Sequence, residues 1–382
     1  MSAETLRRAA EKITRLCAEP RDLVSLWQES TEVLARAVPH YWTPCFYTLD
    51  PASLLMTSHF HHGLDEFPRE WLVSEYYADD VNQLVDVVRS KSGIATLHEA
   101  TNGNPASSPR WHRNMVMGGD QELITRLRTR SGEVWGALAL YREPRAPIFT
   151  DHEKTFVQSV APLLAEGARA ALLLGQAREP DCADSPGLLI LDHNGDVEST
   201  TPGVERWLAE LPDGDWDSGR LPSSVLTLAG RTLSMAEHPH RGDIAVSRVL
   251  SRSGTWVVLH GACLSSTTAP RVAVIIEPAN PARLYPLLMS AYGLTEREKD
   301  ITRLVLRGAS TSEIAVDLVL SAHTVQQHLK SIFDKTGVHS RRDLVGKVFF
   351  AHYEPRLRDN EQRARDHHPL RGEPWPQANH SA

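Results

Sequence analysis

The side chains best suited to specific hydrogen bonding in this chain lie close together, between residues 323 and 342. Histidine, lysine and arginine donate hydrogen bonds, and glutamine both donates and accepts them. Glutamine can bond adenine through two hydrogen bonds, lysine can reach the acceptors of guanine, and cations bind phosphate. This combination predicts contacts to a DNA duplex. The candidates are His323, Thr324, Gln326, Gln327, Lys330, Lys335, Arg341 and Arg342.

Apolar residues at helical spacing give the same segment an apolar face, its back, which must be buried. Val325, Leu329 and Ile332 recur at this spacing, and Phe333 extends the stripe. The side chains from His323 to Lys330 that could read bases then fall on the opposite face. A helix of this kind, preceded by a short helix and a tight turn, is typical of a helix-turn-helix and fits the major groove. The cations Lys335, Arg341 and Arg342 lie beyond the reading face and suit phosphates.

Start and stop signals divide residues 294–350 into four short helices. Two capping boxes, each a hydroxyl residue followed three residues later by glutamate, predict the first two starts. Serines predict the next two starts, and glycines predict the ends of the first and third helices. The start signals are Thr295 with Glu298, Ser310 with Glu313, Ser321 and Ser340, and the stop signals are Gly308 and Gly337.

These residues resemble the C-terminal DNA-binding domain of the LuxR family of bacterial transcription regulators. The matching stretches read LTEREKD, GASTSEIA and SAHTVQQHLKSIFDKTGVHSR. The resemblance implies a four-helix domain whose third helix enters the major groove and whose fourth often dimerises. By position, Gln326, Gln327 and Lys330 would read bases and Thr324 would touch phosphate. Many members carry a cation where Gln326 stands, so the resemblance does not give the target sequence.

Charge and composition limit the classes of protein that the chain can represent. The 382 residues carry a net charge of -7, but residues 294–350 hold nine lysines and arginines against seven acidic residues. An acidic body with one slightly basic segment predicts that this segment contacts any nucleic acid. We see no bilayer-spanning apolar run and no signal peptide, and we expect a cytoplasmic protein without membrane contact. The four scattered cysteines fit reduced thiols.

The residues before the linker at 178–186 predict an α+β domain. Two helices fill the first 40 residues, and two strand pairs follow, 42–49 with 54–60 and 122–129 with 134–141. A long helix, Asp151–Gln176, closes the domain and is our first candidate for a dimer interface. On this layout residues 1–178 resemble a GAF domain.

A second, smaller α+β unit is predicted over residues 184–280. Strands at 187–191, 244–250, 256–263 and 272–276 and a helix opened by Thr201 and Pro202 resemble a PAS-like fold. The DNA-binding domain follows at 284–352, and a charged, proline-rich tail at 353–382 is expected to be disordered. The fold class is therefore multidomain α+β, with GAF-like and PAS-like sensory domains ahead of an all-α, four-helix helix-turn-helix domain.

Other candidate sites in the N-terminal half have simpler explanations. His59, His61 and His62 are close in sequence, and the first two would share a strand face near Cys45 and could bind a metal. A solvated loop edge is the simpler interpretation, and we expect no metal site. Trp71, Tyr76, Tyr77 and Asp80 form an aromatic and acidic set like that of acyl-homoserine lactone receptors, at different spacing; ordinary core residues are the alternative.

Enzyme motifs for zinc, nucleotide phosphate, dinucleotide and serine-hydrolase chemistry are missing, and we expect no enzyme and no cofactor. The sequence predicts a dimeric regulator that binds double-stranded DNA and responds to a signal through its N-terminal domains. RNA polymerase and a small-molecule ligand are further candidate partners. A sensor that acts by protein contact, without specific DNA binding, is the alternative.

Overall fold

The computed structural model describes residues 3–19, 21–61, 68–174, 186–238, 245–264, 269–279 and 289–345. These residues form two compact units. The first comprises described residues up to Arg252 together with those in Trp256–Glu277, and the second contains 289–345. No helix in the described ranges is long and apolar enough to cross a membrane. The expected disorder of the tail, 353–382, concerns residues outside these ranges.

The first unit contains two antiparallel five-stranded sheets and nine α-helices within the described residues. Strand order is β2-β1-β5-β4-β3 in the first sheet and β7-β6-β10-β9-β8 in the second. In chain order the elements are α1 (Ala3–Ala18), α2 (Leu23–Ala37), β1 (Cys45–Leu49), β2 (Met56–Phe60), α3 (Arg69–Tyr77), α4 (Leu84–Arg89), β3 (Ile94–Thr96), α5 (Leu97–Ala100), α6 (Pro109–Val116), β4 (Gln121–Arg128), β5 (Val134–Arg142), α7 (Asp151–Leu174), β6 (Gly187–Leu191), β7 (Val197–Thr200), α8 (Val204–Glu210), α9 (Ser223–Glu237), β8 (Val246–Leu250), β9 (Trp256–Leu264) and β10 (Arg271–Pro278).

Helices α1, α2 and α7 cover one face of the first sheet. Trp27 of α2 stacks on Phe46 of β1 with ring centroids 4.3 Å apart. The apolar stripe of α7, including Phe156, Val157 and Leu164, is buried in this layer. The sequence suggested this stripe as the first candidate for a dimer interface. In the structure the stripe packs against the sheet and against α1 and α2 of its own unit.

The opposite face of the first sheet shares one hydrophobic core with the second sheet. Helix α9 packs against α3, β2, β8 and β9, so it touches both halves. Gly230 makes this possible, because a Cβ built there would lie 2.1 Å from the backbone oxygen of Val73 in α3. Asp50 and Arg248 add a buried ion pair across the two sheets at 2.6 Å. The two predicted N-terminal domains thus form one compact unit, and the boundary between them stays a prediction.

Most predicted strands and the two N-terminal helices are confirmed, with shifts at their ends. The helix expected to open at Thr201 and Pro202 starts two residues later. It begins at Val204, because Gly203 takes a left-handed conformation, φ 86°, and serves as the N-cap. The sequence did not predict helices α3 to α6. In the region of α9 it predicted small helices without bounds.

Candidate nucleic-acid interface

Three helices of the second unit begin at the predicted signals, and the first and third end next to the predicted glycines. They are α10 (Glu296–Leu306), α11 (Thr311–Asp317) and α12 (Ala322–Thr336). Both capping boxes form: the Glu298 carboxylate accepts from the Thr295 amide at 2.7 Å, and Glu313 accepts likewise from Ser310 at 2.7 Å. Gly337 ends α12 at φ 65°. Such caps satisfy amides that a helix leaves without an internal partner, so each short helix has a fixed start.

Helix α12 presents the two faces that its spacing predicts. Val325, Leu329 and Ile332 are no more than 2% exposed and pack into the unit. The opposite face is open to solvent, with Thr324 half-buried at the first turn. The exposed residues on this side are His323, Gln326, Gln327, Lys330 and Asp334. Because the apolar back of the helix anchors it in the unit, the exposed polar face can enter a DNA groove while the unit stays folded.

Two of the reading-face amides are held by hydrogen bonds within the unit. Gln326 donates from Nε2 to Thr311 Oγ1 at 3.2 Å, and the Gln327 amide lies 3.1 Å from His323 Nε2. Lys330 makes no hydrogen bond or ion pair with any described residue and is exposed. The face therefore combines two amides held in fixed orientations with one exposed cation, Lys330, that a ligand can contact directly.

Lys335 and Arg341, both predicted to contact phosphate, are bonded inside the unit. Lys335 Nζ lies 2.6 Å from Oε2 of the buried Glu298, and Arg341 donates to the Ala309 carbonyl at 2.7 Å and to Thr311 Oγ1 at 2.9 Å. Burial raises the pKa of Glu298, but bonds from Lys335 and Ser331 outweigh it and hold that pKa below its ordinary value. Arg342, in contrast, is exposed. Geometry thus separates Arg342 from the other two cations.

Thr311 is a shared partner that the sequence pattern does not indicate. Its hydroxyl receives hydrogen bonds from both Gln326 and Arg341. The residue was visible only as the first position of a helix, and nothing in its spacing links it to residues 15 and 30 positions away. Thr311 therefore connects the reading face to the segment that follows α12.

The turn between α11 and α12 contains a strained, exposed valine. Val319 has φ 53°, where a β-branched side chain is disfavoured, and it is 90% exposed. Its neighbour Val316 is 77% exposed. No buried contact of the side chain therefore offsets the strain at Val319.

Replacing Val319 by glycine is expected to stabilise the second unit by about 1 kcal/mol, because glycine adopts this backbone conformation freely. Val316→Gly is a matched control, since the same change at an exposed position within α11 should destabilise the unit by a few tenths of a kcal/mol or more. Calorimetric melting of the full chain measures both. A lower melting temperature for Val319→Gly would contradict the strain.

The candidate metal ligands of the N-terminal unit do not assemble. His59 and His61 stack with ring centroids 5.0 Å apart, while His62 lies outside the described residues. Among the described residues no group of three histidine, cysteine or acidic side chains could hold a metal. Burial raises the pKa of Cys45 to about 12, so this thiol is no ready ligand or nucleophile.

His59 contacts a serine and an aspartate, but in the wrong geometry for hydrolysis. Its Nδ1 lies 2.6 Å from Ser223 Oγ and 2.9 Å from Asp213 Oδ2. In a catalytic triad the two partners bond opposite nitrogens of the ring. Here they share one nitrogen, and the cluster fastens β2 to the start of α9.

The aromatic and acidic set around Trp71 also has structural roles. The Tyr76 hydroxyl accepts from the Met56 amide at 2.9 Å, and Asp80 accepts from the Ser108 hydroxyl at 2.8 Å. Trp71 lines a cavity of about 60 Å³ beside Arg110, whose guanidinium lies between two carboxylates. That volume is about that of two water molecules.

Solved structures give only remote likenesses to the chain. Escherichia coli SdiA aligns with 91% of this chain and 95% of its own at 14% identity and a TM-score of 0.31. The GAF domain of an Acinetobacter phosphoenolpyruvate-protein phosphotransferase aligns with 46% of this chain and 99% of its own, at 16% identity and a TM-score of 0.31. At these TM-scores neither likeness establishes a fold, and the GAF-like and PAS-like assignments stay predictions.

The second unit has clear relatives in sequence. An HTH-type transcriptional regulator of Mycobacterium tuberculosis is 46% identical over 55 residues, 14% of this chain and 6% of that protein. The monoamine regulon transcriptional regulator of Klebsiella aerogenes is 43% identical over 56 residues, 15% of this chain and 25% of that protein. The chain thus matches at most a quarter of these curated relatives' length. The family model for bacterial regulatory proteins of the luxR family matches residues 293–348, and this segment is a helix-turn-helix domain of that family.

Proposed function

We propose that the protein is a sequence-specific DNA-binding transcription regulator, dimeric and responsive to a signal through its N-terminal unit. One observation carries the proposal: α12 exposes an uninterrupted polar face, while its apolar back is buried. The domain assignment supports the same conclusion. Gln326, Gln327 and Lys330 read bases, His323 and Thr324 lie at the helix start that meets the duplex, and Arg342 contacts phosphate.

Selection from random duplexes by the full-length protein tests this function. Enrichment of one site, and its loss in a variant with Gln326, Gln327 and Lys330 all changed to alanine, is the expected result. The three side chains are exposed, so the variant should keep the melting temperature of the wild type. If both proteins fail to select a sequence at every salt concentration, the result would contradict specific DNA binding and favour the alternative, a sensor that acts by protein contact.

Lys330→Ala is expected to weaken binding to the selected site by about 1–3 kcal/mol, between roughly fivefold and 150-fold in Kd. Lys330 is the exposed cation nearest the centre of the face, and it gives up no described partner on binding. Fluorescence anisotropy with the selected and a scrambled duplex measures the change. Lys12→Ala, an exposed lysine of α1, is the control. An equal loss on both duplexes would make Lys330 a phosphate contact.

Arg342→Ala should weaken binding to all duplexes and lower the slope of log K against log salt by about one unit. Lys335→Ala should leave the slope unchanged, because its ammonium is bonded to Glu298. It should lower the stability of the second unit instead. Titrations at several salt concentrations separate the two cations, and an unchanged slope for Arg342→Ala would exclude its phosphate contact.

The signal response requires that a ligand or partner bind two arrangements of the protein with different affinity. Dimerisation would bring two α12 helices to half-sites about 34 Å apart or a multiple of that distance. The stripe of α7 is covered inside its own unit, which leaves the fourth helix of the DNA-binding domain, around 345–350, as the favoured dimer contact. Most of that helix lies outside the described residues, and sedimentation of a Val345→Asp variant, changed at a partly exposed position at its described end, tests the contact, with melting as the folding check.

A further inference from the structure

A cleft of about 360 Å³ opens in the first unit beside the end of β4. The loop before β3, the end of β4 and the middle of α7 line it. Three of its lining residues are arginines at alternate positions of one segment, Arg126, Arg128 and Arg130, and Thr129 and Gln158 add polar groups. Among the residues that the structure describes, no aspartate or glutamate lines this cleft. Three cations in a cleft without carboxylates form a local positive site in an otherwise acidic unit.

The first two arginines are held in place by bonds to backbone oxygens. Arg126 Nη1 donates to the carbonyls of Val88 and Ser90 at 2.8 and 2.7 Å, and Arg128 Nε donates to that of Gly132 at 2.9 Å. Neither forms an ion pair within the described part of the chain. Each guanidinium carries five N–H donors, so donors remain for a ligand. The positive groups are thus positioned without being neutralised.

Electrostatics favour an anion in this cleft. Burial lowers the pKa of Arg126, and the charge of Arg128 lowers it further, because the two cations repel each other. Of the neighbouring carboxylates, Glu166 of α7 pairs with Arg169 at 2.7 Å and accepts from the Arg130 amide at 3.4 Å, and Glu133 accepts from Thr129 Oγ1 at 3.1 Å. A bound anion would relieve this repulsion.

We propose that the cleft binds a phosphorylated small molecule, with its phosphate groups on Arg128 and Arg130 near Arg126. Arginine forks match phosphate oxygens through paired, charge-assisted hydrogen bonds. The volume falls at the lower end of the range for small-molecule sites, about 300–1,000 Å³. Such a ligand would be the signal to which the N-terminal unit responds. Its effect on DNA binding rests on the proposed function, whereas its binding to the cleft does not.

Calorimetric titration of the full-length protein with inorganic phosphate, pyrophosphate and ATP tests the site at ionic strength matched with sodium chloride. We expect saturable binding of pyrophosphate or ATP at one site per chain. The variant with Arg128→Gln and Arg130→Gln should bind at least tenfold more weakly, because glutamine keeps a polar side chain but removes the charge. Arg126 is left intact, since it also holds the end of α4. Arg36→Gln, at an exposed position of α2, is the matched control and should bind as the wild type does.

Three results would overturn the proposal: no saturable binding of any probe at millimolar concentration, equal affinity in the double variant, or a double variant that loses duplex binding more than ATP binding. The last result would assign the arginines to DNA phosphates. Equal melting temperatures of the ligand-free proteins check folding. Lys330→Ala should still bind ATP, and the arginine variant should still bind DNA. The two readouts therefore distinguish failure of this site from failure of the proposed DNA function.

Discussion

Gly230→Ala is expected to destabilise the N-terminal unit by about 3 kcal/mol, although alanine is the better helix former by about 1 kcal/mol at an ordinary position. The added Cβ would lie 2.1 Å from the carbonyl oxygen of Val73, and this atom belongs to the backbone of α3. A backbone contact cannot be relieved by a change of rotamer. Helix α9 would have to move away from α3 and open the core that the two sheets share.

Calorimetric melting of the full chain measures this loss. For a unit of this size about 1 kcal/mol corresponds to roughly 2–4 °C, so the first transition should fall by roughly 6–12 °C. Gly167→Ala in α7 is the matched control. There the nearest atoms, 3.1 Å away, belong to the side chains of Cys17 and Leu26, which can adjust. Similar melting of the two variants would show that α3 and α9 are not held at this contact.

The helix-turn-helix was predictable because its signals are local. A capping box joins two residues three positions apart, and the stripe of α12 repeats every three or four residues. Each signal can be recognised without knowing where the rest of the chain lies. The exposed and buried faces around Val325 and Lys330 followed directly from this pattern.

The first unit was less predictable because its contacts are distant in sequence. Twelve residues of α9 are buried, polar ones such as Ser223, Thr227 and Arg231 among them, so the polar positions of this helix do not mark an exposed face. Its crossing with α3 depends on Gly230 and Val73, which lie 157 positions apart. The internal partners of Lys335 and Arg341 were hidden for the same reason, since they lie 37 and 32 residues away. Residue type suggested a phosphate contact, and tertiary structure gave each cation an internal partner.

Asp50→Ala is expected to cost about 3–5 kcal/mol, because it removes one member of a buried ion pair and leaves the other in the core. Asp50 is 2% exposed and accepts from the Arg248 guanidinium at 2.6 and 3.0 Å and from its amide at 2.9 Å. These bonds join the first sheet to β8 of the second. Urea denaturation of the full chain, followed by tryptophan fluorescence, measures the loss.

Asp196→Ala is the matched control, because Asp196 also pairs across the two halves of the unit, with Arg69 at 2.9 Å, but is 67% exposed. Its loss should cost about 1 kcal/mol or less. Adding Arg248→Met to Asp50→Ala should restore part of the stability, since it removes the charge that the first change left in the core. If Asp50→Ala costs no more than Asp196→Ala, the ion pair does not hold the sheets together. If the expected order is found and the unit unfolds in a single transition, the buried pair couples the two sheets, and a ligand that stabilises the first sheet would stabilise the second with it.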